Sequence, residues 1–183
     1  ESRRTGGTHR GYWDYEGGGM CDMGQHHFDP EQWTYAKDYT SAVEITPFAP
    51  PSHPEVTGMW AWVELKYADG FRFVMESGEW GPKYDQAPIR DVSMNDLSPE
   101  DQEKIKAMPD PEPLLSFGEA VKQRKKAGGH AEAAHRAACI LHLANLAIRL
   151  GRKLNYDPDK EVFVNDDEAN RFLHPPMSAP WRL

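Results

Sequence analysis

Cysteine is scarce in this 183-residue chain, with only Cys21 and Cys139 present. That is too few, too far apart, for a disulfide framework or a thiolate zinc site. Long apolar runs are missing as well: none approaches the ~20 residues that span a bilayer, and no charged-then-apolar leader opens the chain. Neither a membrane nor a metal is an expected partner. Positive charge is in deficit, with 21 basic against 29 acidic side chains and a formal net charge of -8. DNA and RNA are therefore excluded as expected partners, because phosphate contacts need a basic surface. No Gly-x-Gly-x-x-Gly turn follows a strand-like run, so no dinucleotide pyrophosphate would be cradled by these residues. Internal repeats and low-complexity segments are also lacking.

What is present suits one domain over residues 1–183. The chain starts at Glu1 without an initiator methionine, and its first eleven residues are polar and glycine-rich. It reads as a fragment of something longer, with residues 1–11 expected to be flexible. Six Trp, seven Tyr and seven Phe fit a carbohydrate-facing cleft and equally fit ordinary packing.

The patterning alternates between two periods. From Met20 the spacing predicts one helix, or two with a break near Asp29, where Asp29 would cap a second helix beginning at Pro30. Val43 and Ile45 alternate with Glu44 and Thr46. After a proline-rich loop, Met59, Ala61, Val63, Leu65 and Tyr67 alternate with Trp60, Trp62, Glu64 and Lys66. Ala68-Asp69-Gly70 supplies a turn, and Phe71, Phe73 and Met75 carry the apolar face back along a second strand. Trp60 and Trp62 are expected together on the opposite face, too large to be left bare.

Ser98 opens a short charged helix. Leu114–Lys126 is expected as a helix with Phe117, Ala120 and Val121 inward, closed by Gly128-Gly129. His130–Leu150 is apolar on more than one face, marking a central helix that Gly151 stops. Val162–Val164 and Asp166–Phe172 suggest a short strand and a short helix. This order implies an α+β fold, an open and mostly antiparallel sheet with helices packed on one face.

The densest chemistry runs from Gly17 to Asp29. Asp22 and His26 are four apart, so one helix would set carboxylate and imidazole on the same face, a pairing suited to moving a hydroxyl proton. The same spacing is met by a capping or surface acid beside a histidine satisfied within its helix. His26, His27 and Asp29 make a poor metal set, because adjacent helical side chains point about 100° apart. His135 and His142 share a helix face and are expected buried and hydrogen-bonded. Cys139 is expected in the core, and Cys21 as a packing residue. A hydrolase or lyase using Asp22 and Asp29 is a third option that their spacing does not establish.

Gly17-Gly18-Gly19, Asp22-x-Gly24-x-His26-x-x-Asp29 and Trp33 together resemble the second domain of the glucose–fructose oxidoreductase, inositol dehydrogenase and MocA family. Ala144–Leu154, Asp157-Pro158, Asp166–Asn170 and the ending Ala179–Leu183 resemble a bacterial branch of it. The resemblance implies a two-domain enzyme whose Rossmann domain binds NAD or NADP, and whose second domain, present here, forms oligomers through its sheet face. No cofactor-binding residue is expected in this chain. By resemblance Asp22 and His26 are the catalytic pair, and Arg10, Tyr12, Trp13 and His27 line the site of a sugar, sugar derivative or polyol. The family's catalytic lysine and its glycine-rich loop belong to the first domain, so the chain alone is expected to be inactive. The alternative is a non-catalytic carbohydrate-binding or assembly module of the same fold. The compartment, bacterial cytoplasm or periplasm, stays open.

Overall fold

A computed structural model describes residues 8–85, 93–109, 113–174 and 179–180, so much of the expected flexible start and most of the Ala179–Leu183 ending lie outside the described residues. The chain divides into two compact units, residues 1–84 with 131–183, and residues 85–130.

The first unit carries an open five-stranded antiparallel sheet in the order β3-β2-β1-β4-β5. Its strands are β1 (Glu44–Phe48), β2 (Trp62–Lys66), β3 (Arg72–Glu76), β4 (Leu154–Asp157) and β5 (Val162–Phe163). The period-two reading of the hairpin holds: Val63, Leu65, Phe73 and Met75 are buried on one face. Gly70, at φ 89°, closes the turn, and the Asp69 carboxylate accepts from the Phe71 amide at 3.0 Å. Lys37 is drawn over this turn, paired with Asp69 and 4.8 Å from the Phe71 ring centroid. Pro47 sits in β1 beyond the stretch that β4 pairs, where a missing N–H breaks no ladder bond on that side.

Trp60 departs from the alternation. β2 begins only at Trp62, after a bend at Ala61, so Trp60 loses the strand parity and packs against the core while Met59 is exposed. Trp62 alone takes the outer face, stacked on Phe48 with centroids 5.3 Å apart.

Helices α1 (Gly18–Asp22), α2 (Gly24–Thr34) and α5 (Ala131–Leu150) accompany this sheet, with α5 packed on β1 and β2 and against α1 and α2. The buried side of α5 includes Ile140, Leu141, Ala144 and Ile148. Each of the isoleucine and leucine side chains among them contributes ~1.5–3 kcal/mol. Gly151, at φ 64°, ends α5 as expected: its amide bonds the Ile148 carbonyl at 3.1 Å and the Arg152 amide the Ala147 carbonyl at 3.3 Å. The break between the first two helices falls at Met23, not near Asp29, and Asp29 caps nothing because Pro30 lies inside α2. The carbonyl that Pro30 leaves without its helical partner belongs to exposed His26, where solvent can take the bond. Among the described residues no helix is long and apolar enough to cross a membrane.

Helix α6 (Asp167–Asn170) is capped by the Asp166 side chain, which accepts from the Ala169 amide. Arg152 donates to both Asp166 oxygens, at 2.5 and 2.9 Å. The guanidinium bonds first, and the cap bond second, hold the Asp166 carboxyl down at about 2. A depressed acid contributes stability that is complete above its unfolded value of about 3.9 and is lost as pH falls through about 2. Asp166→Asn keeps a cap but removes the charge. In acid titrations followed by circular dichroism, wild type is expected to exceed this variant in stability above about pH 4, the gap closing towards about pH 2.

The second unit contains α3 (Pro99–Lys106) and α4 (Phe117–Gln123). Ser98 caps α3 as expected, accepting from the Asp101 amide at 3.1 Å, and Ser116 caps α4. Two expectations fail here. Phe117 and Val121 are exposed, only Ala120 being buried, because a seven-residue helix presents too short a stripe to cover both. The helix also stops at Gln123, where Arg124 takes the left-handed conformation at φ 52°, ahead of Gly128-Gly129.

Candidate functional site

The glycine run is fastened to the central helix by one side chain. Asn145, buried on α5, donates from Nδ2 to the Gly17 carbonyl at 2.7 Å and lies 2.9 Å from the Cys21 sulfur. Gly18 adopts φ 69°, and a Cβ there would stand 2.7 Å from Thr57 Oγ1. Both demands explain glycine at position 18. Gly24 is packed under Phe28, whose ring would meet an added Cβ at 3.2 Å. Burial and the Glu16 charge push the Cys21 thiol up, against the Asn145 bond that lowers it, so Cys21 suits packing better than nucleophilic attack.

Beside this run opens a cleft of about 640 Å³, walled by the glycines, Trp13, His27, Phe28 and Trp60 and also by Glu76, Ser77 and Glu79. Trp13 is held rigidly. Its indole N–H donates to the His53 carbonyl at 3.1 Å, and the Arg149 guanidinium lies 5.1 Å from its ring centroid and 4.8 Å from that of Phe172. The Glu79 amide donates to Ser77 Oγ at 3.1 Å, and the Ser77 hydroxyl donates to the Trp60 carbonyl. A cleft lined by both indoles and carboxylates can bind a polyhydroxylated ring, apolar face to indole and hydroxyls to acids.

The sequence-expected residues divide around this cleft. Trp13 and His27 line it. Arg10, Tyr12, Asp22 and His26 are not among its walls. Arg10, in the 3-10 turn Thr8–Gly11, is paired with Asp22 and lies 4.0 Å from Glu16. Tyr12 bridges Val56 through its backbone. Asp22 ends α1 and His26 sits in the first turn of α2, so the single helix assumed for their pairing is interrupted at Met23. No hydrogen bond joins the two side chains among the described residues, and His26 is exposed. Both nonetheless flank Met23 and Gly24, which line the cleft.

Trp60, Glu76 and Glu79 escaped the sequence reading. Trp60 was assigned to the outer sheet face by alternation, and the two acids follow the apolar strand as ordinary solvated residues. Only their return beside the glycine run, 41 or more positions away in the chain, marks them. The histidines of α5 are corrected too: His135 and His142 are exposed, and Cys139 is half-buried.

Among the described residues every strand pairing in the sheet is antiparallel. These described residues therefore do not fit a dinucleotide pyrophosphate, which takes a glycine turn between a parallel strand and a helix N-terminus.

No curated protein and no solved structure matches the chain. A family described as "Oxidoreductase family, C-terminal alpha/beta domain", the second C-terminal form of the glucose–fructose oxidoreductase, inositol dehydrogenase and MocA group, matches residues 1–183. The α+β fold and this match agree, and the chain belongs to that oxidoreductase family as its C-terminal domain.

Proposed function

We propose that the full-length protein is an NAD(P)-dependent oxidoreductase acting on a hydroxyl of a sugar, sugar derivative or polyol, and that this chain binds the substrate. The cleft carries the reading: a rigid indole, Trp13, shares its lining with Glu76 and Glu79 and with the glycine run, which is the chemistry of a sugar subsite. Trp13 supplies the stacking surface and His27 a hydroxyl contact, with Arg10 and Tyr12 supporting the wall beside them.

Asp22 and His26 are the proposed proton-handling pair. His26 stands exposed at the start of α2, open to a substrate held between this chain and a cofactor-bearing domain. It would take the hydroxyl proton on oxidation and return it on reduction. Asp22, fixed by Arg10, would orient substrate or imidazole across the Met23 break. Hydride acceptance belongs to the nicotinamide, and none of these residues is assigned a part in holding it. The 183-residue chain alone is accordingly expected to turn nothing over.

The full-length protein, incubated with NAD⁺ or NADP⁺ and a panel of hexoses, amino sugars, uronic acids and cyclic polyols, should show nicotinamide reduction with at least one of them. The isolated chain should bind that compound, seen as quenching of tryptophan emission, without turnover. Binding with no reduction by the full-length protein would instead favour a carbohydrate-binding module of the same fold.

A further inference from the structure

Away from the cleft, the first half of α5 brings three metal-binding side chains together. His135 and Cys139 are four apart on the helix, and their donor atoms, with a carboxylate oxygen of Glu161, all lie within 4.8 Å of one another. Glu161 comes from the turn joining β4 to β5, where it holds φ 55°. A left-handed residue is more easily glycine or asparagine, so the acid is kept against a backbone cost.

We propose that His135, Cys139 and Glu161 form a binding site for a borderline divalent cation, with Zn²⁺ as its type. The distances suit it. Tetrahedral zinc, with Zn–S of about 2.3 Å and Zn–N of about 2.0–2.1 Å, separates sulfur from nitrogen by about 3.5 Å, and Cys139 Sγ lies 3.5 Å from His135 Nε2. The same His135 Nε2 is 2.7 Å from Glu161 Oε1. A shared cation asks for about 3.4 Å there, a withdrawal that a half-exposed carboxylate can make. The ligands are chemically mixed, one sulfur, one nitrogen and one oxygen, which favours zinc over the hard ions magnesium and calcium.

Arg136 is the neighbouring competitor for Glu161, at 3.2 Å, but it is independently held by Glu132 at 2.9 Å and by the Pro158 carbonyl at 3.2 Å. Charge balance favours the metal. With Cys139 ionised, the thiolate and Glu161 together present two negative charges, which a divalent cation matches. Binding is an exchange: the Cys139 S–H proton passes to solvent as the sulfur–metal bond forms, while neutral His135 gives the Nε2 lone pair and keeps its proton on Nδ1. Three protein ligands leave the fourth position to water. The consequence is a clip between α5 and the β4–β5 turn.

The test is titration of the chelator-stripped full-length protein with Co²⁺, followed by displacement with Zn²⁺. The expected result is a thiolate-to-cobalt charge-transfer band that Zn²⁺ abolishes, that persists in Cys21→Ser and that is missing in Cys139→Ser. Zn²⁺ affinity should fall by more than about 100-fold in His135→Ala, since removing a mere supporting group costs roughly 10- to 100-fold. Zn²⁺ should also raise the Tm of wild type but not of Glu161→Gln, a surface change that spares the core. A band retained in Cys139→Ser, absence of any band in wild type, or an equal Tm rise in Glu161→Gln would overturn the site.

Discussion

Replacing His26 by alanine in the full-length enzyme is expected to lower kcat by about 10²- to 10⁴-fold, the usual contribution of a positioned acid–base group, while KM for the substrate moves little. His27→Ala should do the reverse, raising KM by roughly tenfold, the worth of one lost hydroxyl contact, with kcat nearly unchanged. The contrast rests on placement: both imidazoles are exposed, and His27 lines the cleft whereas His26, one residue before it on α2, does not. A group that only binds affects ground and transition states alike, and a group that moves the proton acts on the barrier. Asp22→Asn should fall with His26→Ala rather than with His27→Ala. Steady-state kinetics on the purified full-length variants decides the matter, and a kcat collapse in His27→Ala beside normal turnover in His26→Ala would transfer the acid–base role to His27.

The elements legible in the sequence are those whose burial repeats at a constant period. Val63, Leu65, Phe73 and Met75 gave away the hairpin because β2 and β3 pair in register across a tight Asp69-Gly70 turn, and α5 announced itself through twenty residues of helical periodicity closed by Gly151. Where the chain bends, that period resets and the inference goes astray. Trp60 was misplaced because the strand starts at Trp62, three residues after the alternation does at Met59. The Asp22–His26 pairing assumed an unbroken helix, and one turn residue, Met23, divides it. Contacts between distant segments were invisible for a different reason. Nothing local in Glu76, Glu79 or Glu161 distinguishes a cleft wall or a candidate ligand from a solvated acid. Their meaning comes from β3 and the β4–β5 turn reaching α1 and α5, and only the tertiary arrangement supplies that.

Within the glycine run, Gly17→Ala should destabilise the protein by about 1–3 kcal/mol, the range for forcing a methyl into a packed interior, while Gly19→Ala should be neutral or stabilising by up to ~1 kcal/mol, as for alanine replacing glycine in a helix. The backbone is not the difference, for neither residue takes a left-handed φ. Surroundings are. A Cβ on Gly17 would stand 2.4 Å from Asn145 Nδ2, 2.5 Å from the Cys21 sulfur and 2.9 Å from its Cβ, whereas one on Gly19 meets nothing within 4 Å. Neither neighbour of Gly17 can yield easily. Cys21 belongs to the same short helix, and Asn145 is buried on α5 with its amide already spent on the Gly17 carbonyl. The methyl must therefore push α1 off α5, and because Gly17, Gly18, Asn145 and Ile148 all line the cleft, the same shift should weaken substrate binding. Urea denaturation of the two variants, with tryptophan-quenching titrations of whichever sugar the panel selects, measures both effects. Equal stability for Gly17→Ala and Gly19→Ala would mean that the glycine run is not clamped to the central helix, and the account of how the cleft is held open would fall with it.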